Sequence, residues 1–268
     1  MIFPDRKGYA SIAAIPPAVR AAIDRAQDEP RTLTEWLAVD TPTLLAHVLP
    51  EVGLGAAAEA LVRAARGFAH LPALKRNGQV GALLYETLHP RADAGAIYAH
   101  IATHRSSVVR EWGAQLVAAD RQLTLAQRLA CARHYAADAH MAVREIAWAS
   151  LRNDVLAQLD LALQLFAPWA HDADANIRRC AVEGTRPRGV WCAHSERLKA
   201  APQLALHLLE RVRADPSRYV QLSVANWLND ASKSQPDWVR ALCARWRRES
   251  PEPQTAFIVQ RALRTVGA

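Results

Sequence analysis

The stretch Ala175-Asn-Ile-Arg-Arg-Cys-Ala-Val-Glu-Gly-Thr-Arg-Pro-Arg-Gly-Val-Trp191 reads as an amphipathic helix that runs into a polar, proline-bearing turn. A second stretch repeats the design: Ser223-Val-Ala-Asn-Trp-Leu-Asn-Asp-Ala-Ser-Lys-Ser-Gln-Pro-Asp237. Each carries one acidic residue near its helix end, Glu183 and Asp230, among arginine, asparagine and lysine. Working outward, the same kind of helix returns along the chain. Val109-Arg110, Val143-Arg144, Ile177-Arg178 and Val220-Gln221 succeed one another at steps of 34, 34 and 43 residues, and a helix with Ile258 and Val259 follows 38 residues after Val220. Helix pairs at such a period cannot bury their apolar faces alone, so they stack; the spacing predicts an all-α, HEAT-like repeat solenoid with a concave basic face. Ser106, Asp138, Asp174, Asp215-Pro216 and Ser250-Pro251 are the expected capping signals for the second helix of each pair.

The remainder of the chain agrees with an all-helical scaffold. It has 268 residues, enough for one large domain or an extended repeat array. Of these 51% are hydrophobic, led by Ala and Leu, which are not β-branched and lose little rotamer freedom in a helix, and only 6% are aromatic. Residues 1–95 form an N-terminal helical region, with helices expected over Ala18–Ala26, from Thr32 or Thr34 through Leu37, from Thr41-Pro42 to Pro50, over Ala56–Phe68 and over Gly78–Leu88; the repeats occupy 96–268. The run from Val155 to Ala170 is interrupted by Asp160 and is too short to span a bilayer. No apolar signal segment opens the chain. The four cysteines show neither paired nor zinc-ligand spacing, which predicts reduced, mostly buried thiols, a cytoplasmic protein, and no metal or organic cofactor.

A net charge of +7 points to a polyanion or an acidic partner without choosing between them. Arg110, Arg144, Arg178, Arg179, Arg261 and Arg264 recur at or near matching repeat positions. Stacking would align them as a stripe suited to a phosphate backbone; alternatively, each pairs with an acid of the neighbouring repeat. Glu183 shares a helix face with Arg179, as an ion pair on an exposed surface would. It also lies at a helix C-terminus, where the dipole disfavours an anion, and precedes the cationic, aromatic segment Arg186, Pro187, Arg188, Trp191. Asp230 fits an Asx-turn ahead of Pro236 as readily as it fits a site.

The two quoted stretches resemble the AlkC-like branch of the HEAT-repeat DNA alkylation repair proteins, the AlkC/AlkD superfamily. Gln260-Arg-Ala-Leu-Arg-Thr-Val266 is similar to a further family segment, and the resemblance covers about residues 135–268. It implies a monomeric DNA glycosylase that acts on double-stranded, alkylated DNA and excises cationic bases of the 3-methyladenine and 3-methylcytosine type. It also implies Glu183 and Asp230 as catalytic carboxylates, Trp191 as an aromatic wall, and Arg178, Arg179, Arg186, Arg188, Lys233, Arg261 and Arg264 as DNA-backbone contacts. The chain departs from the family pattern at His140, where a glutamate is expected, at Val182 for a serine, and at Arg261 for a histidine. Two other functions remain open at this level: a non-catalytic binder of damaged or branched DNA, and a protein-interaction solenoid.

Overall fold

The computed structural model describes residues 1–267, and the described residues form helices and connecting turns only. Contacts divide the chain into two compact units. One comprises Met1–Gln122 with His140–Ile146, the other Leu123–Ala139 with the residues from Ala147 onward.

The first unit holds α1 (Pro17–Asp24), α2 (Leu33–Leu37), α3 (Thr41–Glu51), α4 (Ala58–Arg66), α5 (Ala73–Leu88), α6 (Ala94–Ala102) and α7 (Ser107–Ala119). Several starts follow from local chemistry. Thr32 accepts from the Glu35 amide and Asp40 from the Thr43 amide, and Pro17 and Pro42 occupy first-turn positions where a missing N–H costs nothing. The core gathers Leu44, Leu45, Leu49, Val80, Leu84 and Trp112. α5 begins at Ala73, five residues before the expected start at Gly78. Asn77-Gly78 reads as a turn but is helical, because the buried Asn77 side chain donates to Glu111 Oε2 at 2.7 Å. Trp36 Nε1 donates to the same oxygen at 2.8 Å.

The second unit contains α8 (Leu125–Ala136), then α10 (Arg152–Ala157), α11 (Leu159–Phe166), α12 (Ala175–Gly184), α13 (Glu196–Ala200), α14 (Leu206–Arg211), α15 (Arg218–Ser232), α16 (Pro236–Glu249) and α17 (Pro253–Ala262). The intervening α9 (Met141–Ala149) contributes to both units. α12 packs on α15 and α15 on α17, so the helices bearing Ile177, Val220 and Ile258 stand side by side, each of these residues fully buried. Trp227 on α15 and Trp246 on α16 are also fully buried.

The repeat position occupied by Arg110, Arg178 and Gln221 has a common task. Arg110 Nη1 donates to the carbonyls of His104 and Arg105, Arg178 Nη1 to those of Asp172 and Ala173, and Gln221 Nε2 to that of Asp215. In each case the side chain reaches back six residues and fixes the turn that enters its own helix. Arg110 also meets Glu29 at 3.2 Å, and Arg178 grips Asp215 with Nε and Nη2 at 2.6 and 2.9 Å. The capping expectations hold at Asp174, which accepts from the Asn176 amide. Ser106 occupies the N-cap of α7 without a side-chain bond. Ser250 instead ends α16, its hydroxyl bonded to Thr255, and Glu252 stands at the start of α17. At the start of α9, His140 Nδ1 accepts from the Ala142 amide at 3.2 Å. Cys180 and Cys243 are buried free thiols, Cys192 is half-buried, and Cys131 is exposed against expectation.

Candidate active site

Glu183 lies in the last turn of α12 and is 3% exposed; Asp230 lies in the last turn of α15 and is 5% exposed. The packing of α12 on α15 brings the two carboxylates to one guanidinium, that of Arg186. Arg186 Nε and Nη2 donate to Asp230 Oδ2 at 2.9 and 2.6 Å, and Nη1 donates to Glu183 Oε2 at 3.1 Å. The remaining oxygens are also engaged. Ser223 donates to Glu183 Oε1 at 2.6 Å and Lys233 Nζ to Asp230 Oδ1 at 3.2 Å. Arg179 stands 3.7 Å from Glu183 Oε1, with its guanidinium 4.2 Å from the centre of the Tyr219 ring. Burial opposes the charge on Arg186, but the fields of Glu183 and Asp230 outweigh it and raise its pKa, so it stays a cation.

This geometry removes two plainer readings. Glu183 is not an exposed partner of Arg179, and Asp230 is inside a helix rather than in an Asx-turn. In the free protein two of the expected phosphate contacts have partners of their own. Arg186 is spent on the carboxylates, and Arg178 is pinned to Asp215 and two carbonyls with its side chain 12% exposed. Arg188 donates to Ser234, Arg264 to the Arg261 carbonyl and Asn226, while Lys233 and Arg261 present exposed side chains. Arg218 and Arg261 flank the Phe257 ring, at 3.6 and 5.5 Å from its centre.

The segment from Thr185 to Ser195 leaves α12 and carries Val190 and Trp191, each 70% exposed, at its tip. Sequence reasoning missed the residue that holds it. Arg152, 1% exposed, donates from Nη1 to the Gly184 carbonyl, from Nη2 to that of Arg186 and from Nε to that of Ala193. On the same segment, a Cβ at Gly189 would overlap Cys192 Sγ, so a side chain there would have to displace that thiol. Arg152 precedes Arg186 by 34 residues, one repeat step, and that spacing was the signal available in the sequence. Ser223, the donor to Glu183, carried no comparable signal.

Two carboxylates brought together in this way can stabilise a developing cation and accept a proton from water. A helical-repeat scaffold with such a pair defines a class, and comparison with known proteins specifies it. Residues 145–256 match the family model of the DNA alkylation repair enzymes. Among curated proteins the chain is 38% identical over 112 residues to the uncharacterized protein YhaZ of Bacillus subtilis (strain 168), a match covering 42% of this chain and 30% of YhaZ. Among solved structures it resembles the Pseudomonas fluorescens alkylpurine DNA glycosylase AlkC, bound to DNA containing an abasic site analog, with a TM-score of 0.69 and 27% identity. That match covers 84% of this chain and 62% of the AlkC chain. AlkD2 from Streptococcus mutans shares the fold, with a TM-score of 0.60 and 21% identity over 78% of this chain and 99% of that one. The chain thus spans less than two thirds of the length of YhaZ and of AlkC. No described helix is long and apolar enough to cross a membrane.

Proposed function

We propose that this protein repairs alkylated DNA as a glycosylase that hydrolyses the N-glycosidic bond of cationic bases of the 3-methyladenine and 3-methylcytosine type. The observation that carries the proposal is the convergence of Glu183 and Asp230, from neighbouring helices, on Arg186. Alkylation gives the base a positive charge. When the C1′–N bond breaks, the electron pair leaves with the base, which becomes neutral, and the charge passes to an oxocarbenium-like sugar. A carboxylate beside C1′ stabilises that charge, orients the attacking water and takes its proton. Arg186 bridges both carboxylates in the free protein. A DNA phosphate that draws its guanidinium aside would leave them facing the sugar. Trp191, exposed on its loop, supplies a face for cation–π contact. Lys233, Arg188, Arg261 and Arg264 serve the DNA backbone on a basic face.

The test is release of methylated bases from methylated duplex DNA, resolved by chromatography. Wild type should release 3-methyladenine or 3-methylcytosine. Glu183→Gln and Asp230→Asn should each lose on the order of 10²-fold or more in rate while still shifting DNA in gels. Unchanged release in both variants would sink the proposal.

One observation favours a non-catalytic binder of damaged or branched DNA. His140, where the resemblance calls for a carboxylate, is engaged with the fold: Nδ1 accepts from the Ala142 amide, and Nε2 donates to the Pro30 carbonyl at 2.8 Å. DNA binding by wild type without release of any base would select this reading.

A further inference from the structure

Arg186 and Arg152 stand at the same place in successive repeats, yet their partners differ. Arg186 binds carboxylates; Arg152 binds three backbone carbonyls, at Gly184 and Arg186 on one side of the Trp191 loop and at Ala193 on the other. We propose that Arg152 is a positioning residue, whose guanidinium clips both ends of this loop and thereby fixes the backbone from which Arg186 and Trp191 project.

The physical case rests on three features. The Val190-Trp191 tip is exposed while Thr185, Pro187 and Ser195 nearer the loop's ends are buried, so the direction of the tip depends on what ties those ends. A planar guanidinium offers its donors in a fixed fork; three carbonyls from two strands of one loop match that fork, whereas the point charge of a lysine would not. Finally, the clip sits one step from the chemistry. It binds the carbonyl of Arg186, whose own side chain joins Glu183 to Asp230, so a shift at Gly184–Arg186 moves the bridge between the carboxylates. Burial lowers the pKa of Arg152. The buried cation is held by three backbone carbonyls, whereas Arg186 bridges the two acids.

The proposal extends the glycosylase reading, and its test has one arm independent of that reading. The protein is labelled with 5-fluorotryptophan, and the Trp191 fluorine resonance is assigned with Trp191→Phe. In the free protein, Arg152→Lys and Arg152→Ala should shift or split the Trp191 resonance while those of Trp112 and Trp246, which lie away from the loop, stay in place. Low millimolar guanidinium should restore the wild-type resonance in Arg152→Ala and not in Arg152→Lys. In the kinetic arm, kcat for base release should fall on the order of 10²-fold in both variants, with a much smaller change in KM, and recover in Arg152→Ala with guanidinium. A wild type that releases no base removes the glycosylase reading and leaves the fluorine arm to decide. An unmoved Trp191 resonance in both variants overturns the proposal. So does collapse of all tryptophan resonances together, which would make Arg152 a support of the whole unit rather than of the loop.

Discussion

Gly81 has no side chain because Gln115 leaves it no room: a Cβ at that position would lie 2.3 Å from Gln115 Cβ and 2.9 Å from its carbonyl carbon. The backbones of α5 and α7 meet there. Gly81→Ala should therefore cost about 1–3 kcal/mol as the helices are pushed apart. Gly95 is the control, since a Cβ there meets nothing within 4 Å; Gly95→Ala should gain up to about 1 kcal/mol by stiffening the unfolded chain. Urea midpoints at unchanged slope check both. Arg186 poses the opposite problem. Arg186→Met leaves two buried carboxylates without their shared cation and should destabilise by about 3–5 kcal/mol. Adding Glu183→Gln and Asp230→Asn to that variant should recover part of the loss, because the uncompensated charges go with the cation that neutralised them. A triple variant no more stable than Arg186→Met would mean that packing rather than charge sets the cost.

At the scale of the helices, His104 and His140 perform similar work 36 residues apart: each accepts an amide N–H through Nδ1 at the entry to a repeat helix, from Ser106 and from Ala142. Burial lowers the pKa of His104, opposed by Glu51 and assisted by Arg105 and Arg110, which also face it. A histidine whose folded pKa lies below its unfolded value stabilises the fold above the ordinary histidine range of about 6.5, and that stability drains away as the pH falls through the folded value. Urea midpoints measured between pH 8 and pH 5 should drop for wild type and drop less for His104→Asn. Equal slopes would show that His104 contributes nothing to the pH dependence. These histidines also show where sequence reading stops. The repeat was legible because Val109, Val143, Ile177 and Val220 recur on buried faces, and burial is what periodicity encodes. Glu183 and Asp230 were legible because acids at helix ends among arginines are electrostatically out of place. Their convergence on Arg186, the turn-stapling duty of Arg178, and the clip formed by Arg152 were not legible. An arginine's letter is the same whether its guanidinium meets a phosphate, a carboxylate or a carbonyl, and only tertiary packing decides which.

For the whole molecule, that ambiguity becomes a question about charge. The net charge of +7 counts every arginine alike, but those spent on internal partners cannot release counterions from DNA. Arg178 has committed Nε, Nη1 and Nη2 to Asp215, Asp172 and Ala173, whereas Arg261 stands exposed beside Phe257. In a salt titration of duplex binding, Arg261→Gln should flatten the plot of log K against log salt by about 0.9, the contribution of one phosphate contact. Arg178→Gln should leave that slope unchanged and instead lower the urea midpoint, because it strands Asp215 and frees the turn that enters α12. The paired result would separate the arginines that grip DNA from those that hold the repeats in register. If Arg178→Gln flattens the slope as much as Arg261→Gln does, Arg178 leaves Asp215 for a phosphate when DNA binds, and the intramolecular bonds of the free protein are a resting state rather than a fixed staple.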